Sequence, residues 1–213
     1  MLFLNASDHC VMILHTDDAI NFINKVISEH MWRRLVHKKY GLDHKSKLSS
    51  TDWECFIAIL FGEVGGGTTG RDLNQSEVKS AEFGNCFAYH YYKDTGIDKA
   101  IDERDHAAHA FISYSPDFNL IEVWRASPGS FHQYFDKIHT TADTQFKTTN
   151  DSKSVRFSLT EKIMKTHSTL VLRLVKGQPS FVADLSNVND AVKKHTPHTT
   201  PYVMDIFAEL NQK

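Results

Sequence analysis

The sequence predicts an α+β domain: a mixed central β-sheet flanked by helices. Three observations carry this. Segments of helical and of strand periodicity interleave along the chain. The length of 213 residues, 41% of them apolar, suits one globular domain that buries roughly 70% of its unfolded surface. No low-complexity tract, internal repeat or linker divides the sequence. The expected layout is a single domain over residues 1–213. It has a helical basic segment at 1–48, a core at 49–126, and the remaining sheet and helices at 127–213.

Asp18 to Tyr40 reads as the first helix, because Ile20, Ile23, Ile27, Met31 and Leu35 recur at helical spacing and Gly41 stops the run. Thr51 to Phe61 reads as the second. Thr51 and Glu54 have capping-box spacing, and Trp53, Phe56, Ile57 and Leu60 share a face. Strands are expected at Glu77–Ala81, Ala108–Ser115 and Leu120–Ala126, the last two joined by a Ser-Pro-Asp-Phe-Asn turn. Val155–Leu159 and Leu170–Val175 read as further strands, the second as one buried on both faces. Further helices are expected at Phe87–Lys93, Pro128–His139 and Thr160–His167, with Pro128 in a first turn. Thr140–Lys153 reads as an exposed loop.

Composition narrows the function. The apolar runs are shorter than the ~18 residues of a membrane span, and the N-terminal residues do not have the pattern of a signal peptide. Three widely spaced cysteines, Cys10, Cys55 and Cys86, suit neither a disulfide framework nor a CxxC metal site, so a reducing cytoplasm is expected. The formal net charge is −2, but its distribution is uneven. From Lys25 to Lys47 seven basic residues stand against Glu29 and Asp43, whereas Asp94 to Glu122 holds seven acids against Lys99 and Arg104. A basic surface carrying Arg33, Arg34, Lys38 and Lys39 can follow a phosphate backbone. It can equally be a solvated helix face.

Five of the ten glycines fall between Gly62 and Gly70. Gly65-Gly66-Gly67-Thr68-Thr69-Gly70 matches GxGxxG, but a helix precedes it and a strand follows, the reverse of a dinucleotide fingerprint. Arg71-Asp72 after Gly70 also excludes a P-loop. The segment is expected to turn sharply or to bring backbone close to another group. The histidine pairs His106-x-x-His109 and His195-x-x-His198 have neither the HExxH pattern nor cysteine partners, so zinc is not expected.

The residues Arg71 to Ala81 carry the most chemistry. If Asn74-Gln75 forms a two-residue turn, Asp72 pairs with Glu77 and their carboxylates meet on one face. Lys79, two residues on, projects to the same face, and Val78 to the other. Two carboxylates side by side call for a cation between them. Mg²⁺, a hard ion that keeps waters for a phosphate to displace, suits such a pair, with Mn²⁺ as its substitute. Lys79 would orient the attacking water or stabilise charge on phosphorus. Glu63, at the end of the second helix, is the candidate third acid. His90, Lys93 and Arg125 are candidates to reach a phosphate.

Asp72 followed by Glu77-Val78-Lys79 resembles the PD-(D/E)xK signature of type II restriction endonucleases and related DNA nucleases. The likeness runs from about Thr51 to Ala126: a helix, the acidic pair, the ExK strand, then further elements. Arg71 stands where that family often has proline, and the gap between Asp72 and Glu77 is shorter than usual. The resemblance implies a restriction-endonuclease-like fold and Mg²⁺-dependent hydrolysis of double-stranded DNA at specific sites. Asp72 and Glu77 would be the metal ligands, Lys79 the catalytic cation, and a homodimer the working form. Two other expectations stand beside it. One is a non-enzymatic nucleic-acid-binding or interaction domain. The other is a nuclease of the same superfamily that serves repair or a mobile element.

Overall fold

The computed structural model describes residues 14–42, 47–66, 71–92, 96–137, 140 and 154–183. All of these belong to one compact unit, Val11–Val188. The expectations for Lys93, for the pair His195 and His198 and for most of Thr140–Lys153 lie outside the described residues. So do those for Cys10 and for both ends of the 1–213 domain.

The fold is α+β, as the interleaved periodicities predict. Two helices come first, α1 (Thr16–Lys39) and α2 (Ser50–Phe61). Then follow β1 (Ser76–Glu82), β2 (Phe87–Tyr92), α3 (Gly96–His106), β3 (Ala108–Tyr114) and β4 (Leu120–Ala126). A helical segment at 132–137 precedes β5 (Ser154–Leu159), α4 (Glu161–His167), β6 (Thr169–Val175) and β7 (Gln178–Val182). Five strands form the central sheet in the order β1-β3-β4-β6-β7, and β2 pairs with β5 in a separate two-stranded ribbon. Among the described strands only β1 and β3 pair in parallel, with α3 lying between them in sequence. A parallel neighbour needs a crossover of this kind.

Strand alternation divides the core into two layers. Val78, Ala110, Ile112 and Val123 turn to one face and pack with α1 and α2 around Trp53, Phe56 and Leu60. Phe111, Ala81 and Ala126 turn to the other and meet Phe87, Tyr89 and Tyr91 of the ribbon, Ala100 of α3, Phe131 and Phe135. β3 lies in the middle of this arrangement, and all seven of its residues are buried.

Several elements differ from the sequence reading. Phe87–Tyr92 is a strand, not a helix. Its buried aromatic residues occupy alternate positions, with Phe87, Tyr89 and Tyr91 buried and Ala88 and Tyr92 exposed, which is a period of two. The strand buried throughout is β3 rather than β6, whose Arg173 and Val175 reach the surface. Leu35 is 66% exposed, because the buried face of α1 ends at His30 and the last turns run beyond the core. The capping box of α2 is Ser49 with Asp52, not Thr51 with Glu54. Pro128 lies in a turn at 128–131 ahead of the 132–137 helix. Helix α3 and strand β7 were not anticipated.

Candidate active site

The candidate site forms around β1, which is an edge strand of the central sheet. At an edge, groups from both covering layers can reach one place, and the outward N–H groups of the strand remain to be satisfied. The preceding loop supplies what is needed. Gly62 ends α2 in the left-handed conformation (φ 66°), and the chain doubles back so that Gly65 bridges Leu73. The amide of Gly66 donates to the Asp72 carbonyl at 3.0 Å. A Cβ on Gly66 would lie 2.3 Å from the Arg71 carbonyl oxygen, so only glycine fits there. The close backbone approach expected of this segment is therefore made, at Gly66, to the chain's own next turn.

Asn74-Gln75 makes the expected tight reversal, with the Leu73 amide donating to the Ser76 carbonyl at 2.9 Å. Asp72 does not pair with Glu77 through the backbone. Its amide donates to Glu77 Oε2 at 3.2 Å, while its own Oδ2 accepts the Val78 N–H at 2.9 Å. The carboxylate thus takes the place of a neighbouring strand for one edge donor of β1. Arg71 ties this loop to α3 through an ion pair with Asp102 (3.1 Å) and a bond to the His106 carbonyl.

Glu77 and Lys79 share the other face of β1, as the strand period requires. Lys79 Nζ bridges the two acids: it contacts Glu77 Oε1 and lies 3.4 Å from Asp72 Oδ2. Glu77 is 1% exposed at its side chain, whereas Asp72 and Lys79 open partly to solvent. The Tyr89 ring faces the ammonium at 5.2 Å. Burial acts to lower the Lys79 pKa, but Glu77 and Asp72 outweigh it, so the ammonium is held charged above the usual lysine range.

Two groups that the sequence reading passed over complete the cluster. Glu54, on α2, is half-buried. Burial and the charges of Asp72 and Glu77 raise its pKa, against the opposing effect of Lys79. Moving the capping box to Ser49 and Asp52 releases Glu54 from the helix end and leaves it to face these acids. Lys99, on α3, lies 3.8 Å from Glu77 Oε1 and 3.3 Å from Glu103 Oε1. Lys79 is therefore not the only cation of the cluster. The fully buried Glu103 accepts the Tyr91 hydroxyl hydrogen bond. Helical spacing sets Lys99 and Glu103 one turn apart on the face of α3 that meets Tyr91 of β2, from which Lys99 reaches Glu77 of β1.

Glu63 and Arg125 sit elsewhere and serve a different purpose. Glu63 is buried, accepting Ser76 Oγ at 2.7 Å, Arg125 Nη1 at 3.1 Å and the Gln75 amide at 3.3 Å. The Arg125 guanidinium stacks over Phe61 at 4.2 Å and is buried, so it does not present itself to a phosphate. The pair clamps the Asn74–Ser76 turn to β4 and acts on the cluster by positioning it. His109 is also a core residue rather than a metal ligand. Its Nε2 donates to the Glu103 carbonyl at 3.2 Å, and its Nδ1 accepts from the Tyr89 hydroxyl at 2.9 Å. Burial lowers its pKa to about 3, which keeps the ring neutral. His90 is half-buried on the ribbon beside Tyr92, with ring centroids 4.8 Å apart. Arg33, Arg34, Lys38 and Lys39 are exposed on the far half of α1.

The donor set fits a hard divalent cation. Asp72 and Glu77 offer carboxylate oxygens to one position, and that position already attracts a cation, the Lys79 ammonium. Asp72 Oδ1 receives no hydrogen bond among the described residues. As the side chains stand, no group of three or more His, Cys, Asp or Glu among the described residues is arranged around a metal position. Mg²⁺ takes only one or two protein carboxylates beside substrate phosphate and water, so a pair is enough.

Glu103 gives the cluster a pH dependence in stability. Burial, and next the charge of Glu77, raise its pKa to about 7, while Tyr91, Lys99 and Lys79 oppose the rise. A carboxyl whose folded pKa is raised contributes stability below its unfolded value and loses it as pH rises through the folded value. In urea unfolding Glu103 should therefore contribute a loss on the order of 1–3 kcal/mol between about pH 4.5 and 7, set against the gain that the buried neutral His109 contributes as pH rises toward the ordinary histidine value. Glu103→Gln should remove that loss, so that its stability rises more, or falls less, with pH across this window than the parent's does. An unchanged slope would show that Glu103 does not titrate there.

Among the described residues, no helix is long and apolar enough to cross a membrane. Neither protein-family models nor curated proteins give a match to the chain.

Proposed function

We propose that this protein is a Mg²⁺-dependent endonuclease of double-stranded DNA, similar to the type II restriction enzymes of the PD-(D/E)xK superfamily. The observation that carries this reading is the meeting of Asp72 and Glu77 at a single ammonium, Lys79, on an edge strand. In the proposed reaction the metal supplies Lewis-acid polarisation of the scissile phosphate and a water of lowered pKa. Asp72 and Glu77 hold the ion, with Glu54 as the third acid beside them. Lys79 orients the water or stabilises charge on the phosphate, and water attacks phosphorus in line. The products are a 5′-phosphate and a 3′-hydroxyl. Cutting both strands at a palindrome calls for two such sites, hence a two-fold homodimer in a reducing cytoplasm.

The test is incubation of the protein with phage DNA in Mg²⁺ or in EDTA. Discrete fragments in Mg²⁺, absent with EDTA and absent for Asp72→Asn, support the reading. Intact DNA under every condition contradicts it.

A second reading is a nucleic-acid-binding domain without activity. It is favoured by α1, whose far half exposes Arg33, Arg34, Lys38 and Lys39 beside Trp32 and Tyr40. Replacing the four basic residues together should weaken binding to all duplexes alike and reduce the salt slope by roughly one for each phosphate no longer neutralised. Unchanged affinity and slope would mark this face as merely solvated. Basic residues in a last helical turn also complement the helix dipole.

A further inference from the structure

Glu77 Oε1 is contacted by two ammonium groups from two different elements. Lys79 reaches it from the same strand and also reaches Asp72 Oδ2. Lys99 reaches it from α3 and is held from its other side by Glu103 at 3.3 Å. The Tyr91 hydroxyl in turn fixes Glu103. The other Glu77 oxygen accepts the Asp72 amide. Both Glu77 oxygens are already engaged, and the one that shares a cation with Asp72 is Oε1, held by Lys79, so a divalent ion set between the two acids meets Lys79 there. The two lysines are not equivalent in this exchange. Lys79 lies between the carboxylates, and its remaining neighbour in the cluster is the face of the Tyr89 ring. Lys99 makes no contact with Asp72 among the described residues, and its ion pair with Glu103 stays intact if the position between the acids changes occupant.

On the metal-dependent reading above, we propose that Lys79 and the divalent ion compete for the same carboxylate oxygens. Lys99 is then a positioning residue, which keeps Glu77 in place when the ion displaces Lys79. The exchange has a direct consequence for the reaction. The ammonium leaves the acids only when metal arrives, so Lys79 turns toward the phosphate in step with loading of the site. A doubly charged ion between two carboxylates in a half-buried site is favoured over a single ammonium by the stronger Coulomb attraction.

Metal binding without DNA tests this separately from activity. The parent protein, Lys79→Met and Lys99→Met would be titrated with Mn²⁺ alone, with free Mn²⁺ followed by electron paramagnetic resonance. Methionine matches the unbranched stem of lysine and removes the ammonium. Lys79→Met should bind Mn²⁺ at least ~10-fold tighter than the parent, and Lys99→Met clearly less so. Loss of a nearby positive charge acts in both variants, so the difference between them reports displacement. Equal affinity in parent and Lys79→Met, or equal tightening in both variants, overturns the competition and leaves the nuclease reading intact. Failure of all three proteins to bind Mn²⁺ with or without duplex DNA overturns the metal reading, and this inference with it. Should Lys79→Met not fold, the parent still decides. Its Lys79 side-chain NMR signal, assigned with Lys79→Arg, should shift on Mg²⁺ addition far more than that of Lys99, and a static Lys79 signal overturns the proposal.

Discussion

Lys79→Ala is expected to lower the rate of Mg²⁺-dependent DNA cleavage by at least ~10²-fold while leaving the fold and DNA binding in place. That factor is the usual scale for losing one acid–base or charge-stabilising group. Folding should survive for two reasons. Lys79 is partly exposed on an edge strand, and Lys99 remains within reach of Glu77 to offset its charge. DNA binding should be equal or tighter, because the substrate is no longer consumed. Lys79→Arg should not restore cleavage, since the planar fork of a guanidinium does not match the compact ammonium bridging Asp72 and Glu77. Single-turnover assays with gel-shift controls measure both quantities. Cleavage at the parent rate by Lys79→Ala would remove Lys79 from the active site.

The second large effect concerns stability. Glu63→Ala deletes the carboxylate of a buried ion pair that also accepts Ser76 Oγ and the Gln75 amide. Removing one partner of such a pair costs about 3–5 kcal/mol, far more than the pair itself contributes over an apolar substitute. Glu63→Ala should therefore unfold at a much lower urea concentration than the parent. Asp72→Asn, at a partly exposed position, should not. A metal ligand behaves the other way: its loss removes activity and often relieves repulsion between acids. A Glu63→Ala protein of parent stability with no metal affinity would return Glu63 to the metal site.

Much of this arrangement was legible in the chain. The positions of α1, α2, β1, β3 and β4 follow from spacing alone, and so does the hairpin turn at Ser115 to Asn119. Asp72, Glu77 and Lys79 come together because a strand period and a two-residue reversal are both local rules. What was not legible depends on distant partners. Phe87–Tyr92 is rich in aromatic residues, which suit either period, and its pairing with β5 more than sixty residues away decides the matter. Helix α3 was hidden by the acidic composition of Asp94 to Asp105, although Ile97, Ala100 and Ile101 already stand at helical spacing. With α3 unseen, Lys99 and Glu103 could not be placed against Glu77.

Glu63 and Glu54 show the same limit at finer scale. Both are acids on or beside α2, and spacing to Asp72 favours Glu63. The left-handed turn at Gly62 sends the chain back so that Glu63 meets Arg125 on β4. A cap two residues earlier than Thr51 leaves Glu54 in the body of the helix, facing the cluster. A shift of two residues in the helix start thus exchanges the structural acid for the electrostatic one.

The central claim is that Asp72 and Glu77 form a metal centre whose resting cation is Lys79. Anomalous scattering at the manganese edge, from crystals of the protein with Mn²⁺ and duplex DNA, tests it most directly. The account predicts a peak bound by oxygens of Asp72 and Glu77, with Lys79 turned away from both. Carboxylates still closed on Lys79, with no anomalous peak between them, would contradict it.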